Sequence, residues 1–271
     1  MKNYKVGILT LPLKYNYGGI LQAYSLMTFL KKNNYDVFLI DRQWDILDRR
    51  GLIYYIQKFL YKVFLIRKVE SFYKKNIFPK TFKIDSQEKM LKLNSFGFDA
   101  IVVGSDQVWR REYTRGVKNN FFLDFISNKK TKKISYGVSF GKNSFKGNSK
   151  EINEISNLLK KFNSISVREK SGVQICKDLF GVSSVEVMDP VFLLKPFEYK
   201  KLIKKRKYGE KTLCTYILDK TENTNLIVKK ISELLNHKLI KLSSNKNTSL
   251  IIKQSGYLDF YNYICKPLEN W

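Results

Sequence analysis

The chain opens on an almost uninterrupted apolar run, YKVGILTL at residues 4 to 11, which predicts a buried strand. Polar and turn-forming residues, PLKYNYGG, break it. Apolar positions then return at Ile20, Ala23, Tyr24, Met27 and Leu30, the spacing of an amphipathic helix. Lys31 and Lys32 followed by Asn33 and Asn34 are stop signals, and DVFLID at 36 to 41 supplies a second strand. A strand, a helix and a strand within about forty residues is a βαβ unit with parallel strands.

The same rhythm continues. FDAIVVGSD at 98–106 and KKISYGVSFG at 132–141 each predict a strand running into a polar turn, and NSISVRE at 163–169 predicts a shorter one. Helical periodicity covers 151–162 and 169–180, and SSVEVMDP at 183–190 ends a further strand at an Asp-Pro turn. The fold class expected is α/β, with residues 1–195 forming a doubly wound, Rossmann-like domain. A new cycle begins with TLCTYIL at 212–218, a helix over 224–235 and HKLIKL at 237–242. Residues 196–271 are thus expected to be the beginning of a second, incomplete α/β domain, leaving exposed apolar surface that favours self-association. One segment departs from the rhythm: LIYYIQKFLYKVFLIRKVESFYKKNIF, within a 52–80 insertion, predicts a basic amphipathic helix that lies on an anionic membrane or packs as a lid.

Composition narrows the function classes. The 271 residues include 17 Tyr, 19 Phe and 3 Trp and are 44% hydrophobic, enough for a sizeable core. Fifty Lys and Arg against 24 Asp and Glu leave a net charge of +26, which attracts anionic partners without ranking them. Cys176, Cys214 and Cys265 are widely spaced and His237 is the one histidine, which argues against a disulfide framework or a zinc site. No metal or cofactor is expected. The N-terminus does not read as a signal peptide, so the expected location is cytoplasmic, with contact at the inner face of the membrane.

In a doubly wound sheet, ligands bind beyond the carboxyl ends of the strands. The polar turns fall there. Asn16, Gly18 and Gly19 lie between the first strand and its helix, where glycines let backbone amides approach an anion or a sugar. The loop carries neither GxGxxG nor GK[ST], so it is neither a dinucleotide fingerprint nor a P-loop. Ser105, Asp106 and Trp109 suit hydrogen bonding and stacking on a sugar, Ser139 ends another strand, Arg168 with Glu169 offers an anion clamp, and Asp189 closes the set.

Taken together, NYGGILQAYSLMTFLK, FDAIVVGSDQVWR, ISYGVSFG, ISVREKSG and VMDPVFLL, in this order, resemble the polysaccharide pyruvyl transferase family. The resemblance runs from residue 4 to residue 271. It implies a two-Rossmann-domain architecture of the glycosyltransferase B type. It also implies transfer of the enolpyruvyl unit of phosphoenolpyruvate to a sugar hydroxyl of a bacterial surface polysaccharide or its lipid-linked precursor, as a pyruvate ketal. Under that reading Arg168 clamps the anion, Asn16, Gly18 and Gly19 line the cleft, and Ser105, Asp106 and Trp109 shape the pocket. The family's Thr-Asp-Ser-Phe-His-Gly segment has no counterpart here, and His237 does not match it. Two alternatives follow: an inactive member acting as a binding protein or needing a C-terminal partner fragment, and a basic module for membrane surfaces or nucleic acid. No nucleic-acid-binding signature accompanies the charge, so specific nucleic-acid recognition is not expected.

Overall fold

A computed structural model of the chain describes residues 4–13, 16–43, 72–114, 117–202, 211–217 and 221–242. Among the described residues, those up to 194 form one compact unit and those from 195 onward another. The first unit is built on strands β1 (Lys5–Leu9), β2 (Asp36–Leu39), β3 (Ala100–Val103) and β4 (Lys132–Ser135), joined all-parallel in the order β2-β1-β3-β4. Helix α1 (Tyr17–Lys32) connects β1 to β2. Register pairs Gly7 with Phe38 on one side of β1 and with Ile101 on the other. The order reverses at β1, so the crevice between the carboxyl ends of β1 and β3 is the topological switch point. The class is α/β with a Rossmann-like sheet.

Side-chain alternation sets the two faces of that sheet. A Cβ at Gly7 would lie 3.0 Å from Ile40 Cδ1 and 3.1 Å from Phe98 Cζ, on the face that carries the large core of Leu9, Ile101, Val103, Trp109 and Phe121. On the other face, a Cβ at Gly104 would meet Ile8, Gln22 and Leu26, which places the glycine under α1. The helix is not amphipathic in its burial: every residue from Gly19 to Met27 is buried, Gln22 and Ser25 included. Contacts with β2 on one side and the 3-10 turn Pro190–Leu193 on another cover faces that periodicity assigned to solvent. Ser25 offsets its burial by donating to Leu21 O at 2.7 Å; Gln22 donates to Gly19 O and Thr10 Oγ1, while its Oε1 is buried without a hydrogen-bond partner among the described residues.

Further along, α2 (Gln87–Leu91) is capped by Ser86, α3 (Ser149–Leu159) by Asn148, and α4 (Lys170–Asp178) follows β5 (Ser166–Val167). Strand β6 (Val185–Glu186) pairs parallel to β5. Both strands are only two residues long, shorter than the apolar runs that predict them, because hydrogen bonds from Ser135 N to Ser164 O and Val138 N to Ser166 O tie the run to the β4 edge through isolated bridges. The second unit contains α5 (Pro196–Lys200) and a parallel pair, β7 (Thr212–Tyr216) and β8 (Lys238–Leu242), joined by α6 (Glu222–Leu234). Thr221 and Thr224 form a reciprocal capping box at the start of α6.

The basic segment expected at 52–80 lies outside the described residues up to position 71; residues 72–76 are helical. No helix among the described residues is long and apolar enough to cross a membrane. Cys176 and Cys214 are free thiols that burial pushes up to about 11, which keeps them protonated, and no group of metal-ligating side chains occurs among the described residues. His237 sits in the turn between α6 and β8, its amide donating to Ser232 O and its Nδ1 against Leu235 O, as a residue that closes a helix.

Candidate functional site

At the switch point the chain leaves β1 through Thr10, whose hydroxyl donates to Ser105 O at 3.0 Å and accepts from Gln22 Nε2 at 2.9 Å. These bonds fasten the loop after β1 and the loop after β3 to the first turn of α1. Asn16 is the N-cap: its Oδ1 accepts from Gly19 N at 3.2 Å. A Cβ at Gly19 would stand 3.2 Å from Asp106 Oδ2, so the bare glycine gives the helix start a close approach to that carboxylate. The loop is therefore a cradle whose first occupant is Asp106. Gly18 is exposed beside Asn16.

Asp106 is held in an unusual state. Its φ is 99°, in the region that favours glycine and costs a side chain roughly 1–3 kcal/mol. The backbone is pinned there by Ser139 N and Val108 N, which both donate to Asp106 O. Burial pushes its carboxyl above the ordinary aspartate range; the amide of Gln107, which donates to Oδ1 at 2.7 Å, and the nearby Arg168 pull the other way, while Asp189 adds to the rise. The result is a carboxyl group poised to hold a proton more readily than a surface aspartate.

Beside it runs a chain of polar contacts from three strand ends. Ser105, fully buried, donates through Oγ to Asp189 Oδ2 at 2.9 Å, and Arg168 Nη1 donates to the same oxygen at 3.0 Å. Arg168 Nε also donates to Glu169 Oε1 at 3.3 Å, and Asp189 Oδ1 accepts from Val191 N. Burial disfavours the charge on Arg168, but the Asp189 and Glu169 carboxylates outweigh it and hold the guanidinium pKa above its ordinary value. Arg168 is thus a positioned cation with two carboxylate partners, its neighbour Glu169 and the distant Asp189. Tyr136, half-buried at the end of β4, joins the same group: burial and Asp189 raise its phenol above the usual range.

Two expected site residues serve the frame instead. Trp109 is 1% exposed, stacked on Phe122 at 5.3 Å and packed on Phe140, with Nε1 donating to Phe121 O at 3.0 Å. The ring is packed into the core and its one polar atom is satisfied there, while its edge lines a pocket with Phe140 and Phe145. Ser139 is wholly buried and its Oγ accepts from Gly141 N, shaping the turn after β4. The structure brings Asn16, Gly19, Ser105, Asp106, Arg168, Glu169 and Asp189 together at the carboxyl ends of the four-stranded sheet and of the β5–β6 pair bridged to it. Sequence reading missed Thr10, Gln22 and Tyr136. The signal for Tyr136 was its place in SYG at a strand end; nothing local marked Gln22, whose amide joins Thr10 in the loop after β1 to the first turn of its own helix.

A family model described as Polysaccharide pyruvyl transferase matches residues 16–267 of the chain. No curated protein and no solved structure gives a match.

Proposed function

The chain belongs to the polysaccharide pyruvyl transferase family, and we propose that it moves the enolpyruvyl unit of phosphoenolpyruvate onto a sugar hydroxyl of a bacterial surface polysaccharide or its lipid-linked precursor. The observation that carries this reading is the juxtaposition of a buried carboxyl, Asp106, whose pKa burial raises, with a positioned guanidinium, Arg168, beside the switch point of the sheet.

Ketal formation makes definite demands. Two sugar oxygens bond to C2 of the donor, C3 gains a proton to become a methyl group, and the C2–O bond to phosphate breaks. Of the two hydroxyl protons released, one replaces the proton delivered to C3 and the other leaves with phosphate. Asp106 in its neutral form supplies the C3 proton and in its ionised form recovers one from a hydroxyl. Arg168 answers the carboxylate or phosphate of the donor, with Asp189, Ser105 and Glu169 setting its angle. An anion bound there would favour the neutral form of Asp106 still further, so donor binding would prepare the acid it needs. Asn16, Gly18 and Gly19 line the approach. No cofactor is required by this chemistry. The +26 charge favours an acceptor bearing phosphate or acidic lipid, which supports peripheral contact at the inner face of the membrane.

A thermal-shift titration of the 271-residue chain with phosphoenolpyruvate, with inorganic phosphate and pyruvate as controls, tests the donor assignment. A selective rise in melting temperature that Arg168→Ala removes is the expected result. Equal shifts from phosphate, or no shift in a folded sample, would overturn it.

A further inference from the structure

A second concavity opens on the same carboxyl edge, formed by the loops that follow β3 and β4. It encloses about 290 Å³, near the lower end of the ~300–1,000 Å³ usual for small-ligand sites. Phe140 and Phe145 contribute apolar surface, while Arg111, Glu112, Lys142 and Lys146 supply charge. We propose that this pocket is an acceptor subsite, which takes an anionic saccharide unit next to the sugar that receives pyruvate. The proposal rests on the transferase reading above and adds to it a substrate class and a location.

The pocket is built rather than incidental. Arg111 is locked by Nη2 against Glu151 Oε2 at 2.8 Å and by Nη1 against Lys146 O, and its guanidinium lies 6.0 Å from the centre of the Phe145 ring. Glu151, 5% exposed, anchors that arrangement in the first turn of α3. Phe145 in turn is fixed edge-on against Phe140 and Phe180. A Cβ at Gly147 would stand 2.8 Å from the Phe145 ring, so the loop closes tightly behind it. Preorganised walls of this kind reduce the ordering cost of binding.

Charge decides the class of ligand. Among the described residues, four cations, Arg110, Arg111, Lys142 and Lys146, meet two carboxylates, Glu112 and Glu151. Glu112 is paired by Lys142 and Arg110, and the bond from Lys142 holds its carboxyl down at about 2, so it stays ionised and is neutralised in place. The Lys146 ammonium has no carboxylate partner among the described residues. An apolar ring face beside an uncommitted ammonium suits a sugar ring bearing a carboxylate or a phosphate; neither feature recommends a neutral sugar over an acidic one. The position fits an acceptor: Gly141, which lies in sequence between the lining residues Phe140 and Lys142, is bonded through Ser139 Oγ to the turn that also pins the backbone of Asp106.

Isothermal titration of the full chain with methyl glucuronide, glucose 1-phosphate, neutral methyl glucoside and inorganic phosphate is the test, on wild type and on Lys146→Ala. Lys146 is exposed, so its replacement leaves the fold intact. At least one acidic sugar should bind, and Lys146→Ala should weaken it roughly tenfold, as expected for the loss of a hydrogen bond to a charged group. The phosphoenolpyruvate thermal shift should be unchanged in the variant. Which acidic sugar binds distinguishes a uronic acid from a sugar phosphate. Binding of neutral and acidic sugars alike, of inorganic phosphate as well as glucose 1-phosphate, of no sugar at all, or with no loss in Lys146→Ala, would overturn the subsite. A missing phosphoenolpyruvate shift in wild type would instead count against the transferase reading on which it rests.

Discussion

The β1-α1-β2 and β7-α6-β8 units have the same local design and opposite fates. Both pair parallel strands across a connecting helix. In the first, α1 is buried from Gly19 to Met27 and the strands it joins are largely buried. In the second, α6 has no buried residue, and Leu226, Ile227 and Leu234 are 57%, 56% and 86% exposed. Pattern alone made both helices. Burial of the first came from elements far along the chain, the strand β3 and the turn at Pro190–Leu193, which also deliver Ser105, Asp106 and Asp189 to its N-terminus. A βαβ unit becomes a site when distant segments cover it.

The sharpest way to break this contrast is to cut equivalent apolar side chains from the two helices. Met27→Ala, at a position 1% exposed, should destabilise by about 2–5 kcal/mol in urea unfolding, since it leaves a cavity in a packed interior. An effect below about 1 kcal/mol would mean that α1 is less constrained than its burial implies. Gly7→Ala should cost about 1–3 kcal/mol, because the new methyl meets Ile40 and a Phe98 ring stacked 4.8 Å from Phe96; a neutral result would show that this face of the sheet can give way.

Asp106→Asn probes the same comparison through pH. The native carboxyl pKa is raised by burial above the ordinary aspartate value of 3.8, so between those two values the native state holds more proton than the unfolded chain. Stability from this group is therefore fully present below the unfolded value and is lost as pH rises through the native one. Relative to Asp106→Asn, the wild type should lose ground as pH increases across that window, measured by unfolding at a series of pH values. Parallel profiles, or a difference of opposite sign, would refute the assignment. The same substitution should abolish pyruvyl transfer while leaving the fold in place. The smallest effect is expected on the open helix: Leu234→Ser should change stability by no more than about 0.5 kcal/mol, and a larger loss would mean that its exposed face is covered in solution.

Much of the first unit could be read from the chain. The stop at Lys31-Lys32-Asn33-Asn34 is where α1 ends, with Asn34 at φ 64° and Asn33 as cap. Apolar runs marked β1, β2, β3 and β4, and the strand-end polar residues do gather at one edge. Less could be read where a residue type serves two ends. Trp109 among Ser, Asp and Gln looks like a ligand platform, and only the aromatic cluster around it assigns it to the core. The pairing of Arg168 with Asp189, 21 positions apart, and of Ser105 with Asp189, 84 apart, leaves no periodic trace.

By itself, then, the sequence determined which segments are strands and helices, where they stop, and which polar residues lie at strand ends, because periodicity, caps and turn formers act over a few residues. The tertiary structure alone decided that α1 is buried all round, that Asp106 is pressed against Gly19 with its proton held more tightly, and that Arg168 is pinned between two carboxylates. Burial and charge pairing depend on which surfaces meet, and the hydrogen-bonded groups that meet here come from positions up to 95 residues apart.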